Sequence, residues 1–120
     1  MIEYNHKHFH CTLALALTLI GDKYKSLILY HLKDGPKRSG ELQKEIKDIS
    51  SRMFSYSIRL LEKDKLVRRT IYPEVPPKVE YSLTKEGKGL IPILLSLDKW
   101  SEALVSKRGL RSEKEDENKE

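Results

Sequence analysis

Residues 49–83 read ISSRMFSYSIRLLEKDKLVRRTIYPEVPPKVEYSL, and this stretch decides the fold. Its first half has the pattern of an amphipathic helix over about residues 50–64. Ser50 or Ser51 can cap the start, the hydroxyl accepting from a backbone N–H two or three residues on. At about 100° per residue, Phe54, Ile58, Leu61 and Lys65 share one side, and Arg52, Tyr56, Arg59 and Lys63 share the opposite side. The first side reads as core apart from its last turn. The second is cationic with one tyrosine.

The second half changes character. Leu66 to Tyr72 and Lys78 to Leu83 are rich in β-branched and aromatic residues, and Pro73-Glu74-Val75-Pro76-Pro77 separates them. Proline has no N–H to give to a ladder, so the prolines mark the tip of a two-stranded ribbon over about residues 67–83. A helix running into such a ribbon is the layout of a winged helix-turn-helix. The expected fold class is therefore mostly α with a small β-wing (α+β). A cationic stripe carrying a tyrosine suits a helix in a DNA major groove, where Arg reaches guanine edges or phosphates and Tyr reaches phosphates or a thymine methyl. A solvated surface face has the same composition, so the stripe alone leaves both readings open.

The run IYPEVPPKVEYSLTKEG, with LIGDKYKSLILYHLKDGPKRSGEL and DISSRMFSYSIRLLEKDKLVRR upstream, resembles the HxlR family of winged helix-turn-helix transcription regulators over about residues 11–100. The resemblance implies a homodimeric, sequence-specific regulator of double-stranded DNA, with a palindromic operator as its partner. Three positions depart from the family pattern. Cys11-Thr12 replaces the usual Cys-Pro, Gly21-Asp22-Lys23-Tyr24 replaces Gly-Gly-Lys-Trp, and Ser39 stands where Phe is common. Tyr24 is expected to keep the packing role, and Ser39 to cap its helix in place of a lost aromatic contact.

The chain as a whole sets bounds. At 120 residues with 38% hydrophobic content it can hold one modest core. Its formal charge of +5 leans towards a polyanionic partner. One cysteine, Cys11, excludes an intrachain disulfide. No signal peptide is evident and no apolar run approaches the length that spans a bilayer, so a cytoplasmic protein without membrane contact is expected.

Residues 1–10 read as a flexible polar arm, with His6, His8 and His10 before Cys11. Imidazole and thiolate are donors for soft or borderline metals, but the spacing matches no closed zinc site, and no metal or cofactor is expected. Residues 11–20, CTLALALTLI, do not separate helix from strand by period; the resemblance implies a helix. Cys11 would then sit at a helix N-terminus, where the dipole favours thiolate and reaction with oxidants or electrophiles. Some members of the family sense reactive species through a cysteine here, which makes Cys11 the candidate redox residue. A small buried hydrophobe is the alternative.

Asp22 is placed to cap the next helix, Asp34-Gly35-Pro36 is a turn, and Lys37 to about Ile46 opens the first helix of the helix-turn-helix. Lys37, Arg38 and Lys44 are placed to touch phosphates, though charge alone also suits solvated side chains. His31 reads as structural.

From Thr84, a helix N-cap, Leu90, Leu94, Leu97, Trp100 and Leu104 make an apolar stripe, with Pro92 bending the helix or marking its true start. The resemblance implies that residues 84–105 form a C-terminal dimerisation helix, packing with Leu13 and Leu17 of the first helix against a second subunit. Residues 106–120 hold five cations and five acids with one leucine, and read as a disordered charged tail.

The expected DNA-binding set is Lys37, Arg38, Ser50, Ser51, Arg52, Ser55, Tyr56 and Arg59 with Pro76, Pro77 and Lys78 of the wing. The alternative function is a winged-helix protein-association module. No Gly-rich phosphate loop, paired acids or nucleophile-base arrangement points to an enzyme. The sequence does not name an inducer.

Overall fold

The computed structural model describes residues 1–112. In order the elements are β1 (Ile2–Tyr4), β2 (Lys7–Phe9), α1 (Thr12–Ile20), α2 (Lys23–His31), β3 (Lys37–Arg38), α3 (Ser39–Glu45), α4 (Ser51–Lys63), β4 (Val67–Tyr72), β5 (Lys78–Leu83), α5 (Lys85–Gly89) and α6 (Ile91–Arg108). This is a winged helix-turn-helix: α3 and α4 are the paired helices, β4 and β5 the wing, and α6 the long C-terminal helix.

Capping chemistry sets the helix starts. Asp22 accepts from the N–H groups of Tyr24 at 2.8 Å and Lys25 at 3.4 Å, Ser50 from Met53 at 3.0 Å, and Thr84 from Gly87 at 3.1 Å. Ser39 does not cap α3. It is already helical, and the Glu41 carboxylate instead accepts from the Arg38 N–H at 3.3 Å. Pro92 lies in the first turn of α6, where a missing N–H costs nothing, so it marks that helix's start rather than a bend. The end of α4 is closed by Lys65 at φ 61, with the Lys65 N–H reaching Glu62 and the Leu66 N–H reaching Leu61, both at 3.0 Å.

The core follows the helical spacing. Ile28, Leu29 and Leu32 meet Leu42 and Ile46 from the α3 side, Phe54, Ile58 and Leu61 from α4, and Val67, Tyr81 and Leu83 from the sheet. β5 is the central strand, antiparallel to both β3 and β4, with Lys37 opposite Tyr81 and Tyr72 opposite Lys78. Lys37 and Arg38 are thus a short strand before the helix rather than its first turn. Residues 73–77 are the exposed wing tip.

Two regions differ from the sequence expectation. Ile2–Tyr4 and Lys7–Phe9 form an antiparallel hairpin around Asn5 (φ 53) and His6 (φ 64), the two positive φ angles that a type I′ turn needs. Asn and His tolerate that region better than most residues. A lone hairpin is marginal, but this one packs on α1 and the Tyr4 hydroxyl donates to Asp64 at 2.8 Å. At the other end α6 continues through Ser106, Lys107 and Arg108 to Gly109, whose φ of 60 stops it. The remainder of the expected charged tail, residues 113–120, lies outside the described residues.

Candidate nucleic-acid interface

α4 presents two distinct faces. Phe54, Ser57, Ile58 and Leu61 are buried, which turns Arg52, Ser55, Tyr56 and Arg59 outward; Tyr56 is 54% exposed. None of these four makes an ion pair among the described residues. Ser51 and Ser50 sit at the same end, where the first N–H groups of the helix point outward. Ser51 accepts from the Gln43 amide at 2.9 Å, which ties α3 to α4 and fixes the angle between them.

The wing stands beside this face. Arg69 of β4 lies 3.3 Å from Glu62 of α4, an ion pair that sequence spacing did not reveal. Ser55 and Arg59 line one wall of a 310 Å³ groove whose other wall holds Arg69 and Tyr81. Burial pushes the Tyr81 hydroxyl above its ordinary pKa, with the nearby Arg69 acting in the opposite direction. Arg38, Pro76, Pro77 and Lys78 border a second cleft, of 400 Å³, between the start of α3 and the wing tip.

Several cations are already engaged. The Lys37 ammonium reaches Glu45 at 2.6 Å, and the same carboxylate lies 3.2 Å from His31 Nδ1. The Lys37 hydrogen bond is the main reason the Glu45 carboxyl titrates below its usual value. His31 therefore has a partner that its sequence context hid, and Lys37 is turned into the domain rather than towards a phosphate. Lys78 lies 3.5 Å from Glu80 and 4.7 Å from the Tyr72 ring centroid, against the ribbon rather than beyond its tip. Arg38 and Lys44 are exposed and unpaired among the described residues.

The apolar stripe divides. Leu94 is 6% exposed and belongs to the intrachain core, and Leu90 and Leu104 are half-buried. The expectation that Leu94 faces a second subunit is corrected accordingly: one helical turn of α6 is turned inward against α2. Leu13 and Leu17 of α1, and Ile93, Leu97 and Trp100 of α6, remain exposed by 57–65%. Cys11 is exposed and occupies the N-cap position of α1, with no side-chain capping bond. No helix of the described residues is long and apolar enough to cross a membrane.

A helix pair with an outward cationic second helix and a ribbon wing defines a winged helix-turn-helix regulator. Comparison with known proteins narrows this. The chain belongs to the HxlR-like helix-turn-helix family, whose model matches residues 19–108. It is 43% identical over 102 residues to the HTH-type transcriptional regulator YdeP of Bacillus subtilis, covering 84% of this chain and 80% of that one. A second HTH-type transcriptional regulator, from Methanothermobacter thermautotrophicus, is 44% identical over 104 residues, 87% of this chain and 79% of that one. Among solved structures, the redox regulator HypR in its oxidized form superposes with a TM-score of 0.74 at 43% identity, over 78% of this chain and 96% of that chain.

Proposed function

We propose that this helix-turn-helix transcriptional regulator is a homodimer that binds a palindromic DNA operator sequence-specifically, with α4 in the major groove and the wing on the flanking backbone. The observation that carries the reading is the outward face of α4, with Arg52, Ser55, Tyr56 and Arg59 in register and unpaired, above a buried Phe54, Ile58 and Leu61. A surface used only for protein association has no need of that register. Arg52 and Arg59 would read guanine edges or phosphates, Ser55 and Tyr56 adjacent groups. Ser50, Ser51 and the helix N-terminus would hold a phosphate through backbone N–H groups. Arg38, with Pro76, Pro77 and Lys78 across the cleft, would follow the flanking strand; Lys37 takes part only by positioning Glu45 and β3.

The exposed apolar side chains of α1 and α6 support dimerisation, because monomers rarely leave a leucine and tryptophan face in water. Cys11 is the N-cap of α1, the helix that carries Leu13 and Leu17 of this face. HypR is described as a redox regulator, and an exposed thiol at the start of a helix that a second subunit would cover is suited to changing dimer geometry when it is oxidised. Arg59→Ala should weaken binding to the preferred duplex by about 1–3 kcal/mol and relax the sequence preference at one base pair. Operator affinity unchanged in both Arg59→Ala and Arg52→Ala would refute the docking; affinity equally insensitive to oxidant in wild type and Cys11→Ser would refute the thiol response.

A further inference from the structure

We propose that the cavity walled by the N-terminal hairpin, α1, α2 and α4 from Tyr56 onward binds a small monocyclic aromatic carboxylate, with the Lys25 ammonium as its counter-ion. The cavity measures 230 Å³. A cavity of about 150 Å³ holds benzene, so there is room for one ring and a carboxylate.

The cation is what makes the space a site. Lys25 is 7% exposed, its ammonium donates to the Thr18 carbonyl at 2.9 Å, and it makes no ion pair among the described residues. An ammonium carries three donors and only one is used here by a neutral oxygen. Burying a cation without an anion is costly, and an anion entering the cavity removes that cost. Lys7 of β2 and Lys63 of α4 line the same space and are also unpaired. The single carboxylate on the wall, Asp64, already accepts the Tyr4 hydroxyl at 2.8 Å, a bond that raises the Tyr4 pKa.

The rest of the wall selects the body of the ligand. Phe9, Tyr4, Tyr56 and Leu60 also line the cavity, three aromatic residues and one aliphatic. A bare inorganic anion would leave this surface in contact with water, whereas an aromatic ring covers it. Tyr56 and Lys63 belong to α4, so the occupant would touch the helix proposed to read DNA. This coupling rests on the DNA reading; the binding itself does not, and it is measured without DNA.

The test is calorimetric titration of the full chain with benzoate, its neutral isostere benzamide, and inorganic phosphate. Benzoate should bind one per chain and about tenfold or more tighter than either other probe. Lys25→Met should weaken benzoate by about tenfold, and Lys7→Gln, on an exposed strand outside the core, by about threefold. Benzoate no tighter than benzamide or phosphate would overturn the proposal. So would an unchanged benzoate affinity in folded Lys25→Met or, should that variant not fold, in Lys7→Gln. With binding intact, saturating benzoate should shift duplex affinity; no shift would refute the coupling alone.

Discussion

Replacing Gly87 by alanine tests the packing that joins the wing to the C-terminal helices. A Cβ built there would lie 2.2 Å from the Leu66 carbonyl oxygen, 0.8 Å inside the 3.0 Å that Cβ atoms keep, and 3.4 Å from Leu83 Cδ2. The obstacle is backbone, so no side chain can swing away. The Leu66 carbonyl accepts from the Thr84 N–H at 3.1 Å, and the Thr84 hydroxyl donates to the Lys65 carbonyl at 2.7 Å while accepting from the Gly87 N–H at 3.1 Å. Retreat of Gly87 strains this set. Two weakened hydrogen bonds at about 0.5–1.5 kcal/mol each give about 1–3 kcal/mol. The helix propensity of Ala over Gly returns up to about 1 kcal/mol. At mid-range values, about 2 kcal/mol lost and about 0.5 kcal/mol returned, the net loss is about 1.5 kcal/mol, lowering Tm by about 5–10 °C in a domain of this size. Thermal unfolding followed by circular dichroism, at matched protein concentration because the Tm of any associating chain depends on it, measures this. Gly89→Ala, where a Cβ meets nothing within 4 Å, is the control. Gly87→Ala as stable as Gly89→Ala would show that the Leu66 carbonyl does not limit the space at position 87.

Leu97→Glu should leave a folded monomer, since Leu97 is exposed and outside the core; sedimentation showing an intact dimer would contradict the proposed interface. The Glu45 carboxyl sits below the usual 4.5, chiefly through its hydrogen bond from Lys37. A lowered folded-state value gives stability that is full above 4.5 and lost as pH falls through the folded value. Lys37→Gln should therefore cost stability at neutral pH and make urea midpoints decline less steeply below about pH 4.5. Ser57 Oγ is buried with no hydrogen-bond partner among the described residues. Ser57→Ala should leave the urea midpoint unchanged or raise stability by up to about 1 kcal/mol; a larger loss would show that the hydroxyl is used.

Much of the fold was legible because local signals were strong. Ser50 and the Phe54, Ile58, Leu61 spacing fixed α4, and the prolines between Tyr72 and Lys78 fixed the wing. The N-terminal hairpin is less legible: Asn5-His6 is a turn pair that accepts positive φ and Ile2, Tyr4 and Phe9 flank it, but strands of three residues among polar side chains carry the composition of a flexible arm. Leu94 was misplaced because helical spacing gives a stripe, not its orientation, and only the position of α2 turns one leucine inward. The partners of Lys37 and His31 are 8 and 14 residues away in sequence, so their shared carboxylate emerges only when α3 folds back beside α2 and β3. Lys25 gave no sign of burial, since a lysine in a helix ordinarily reaches water.

The most direct measurement is selection of bound duplexes from a random DNA pool, made with reduced and with oxidised protein. Two copies of α4 reading DNA together should enrich a palindrome whose half-sites are spaced by one or two helical turns, with the enrichment altered on oxidation of wild type but not of Cys11→Ser. Binding that is only salt-labile, with no enriched sequence, would contradict sequence-specific reading by α4.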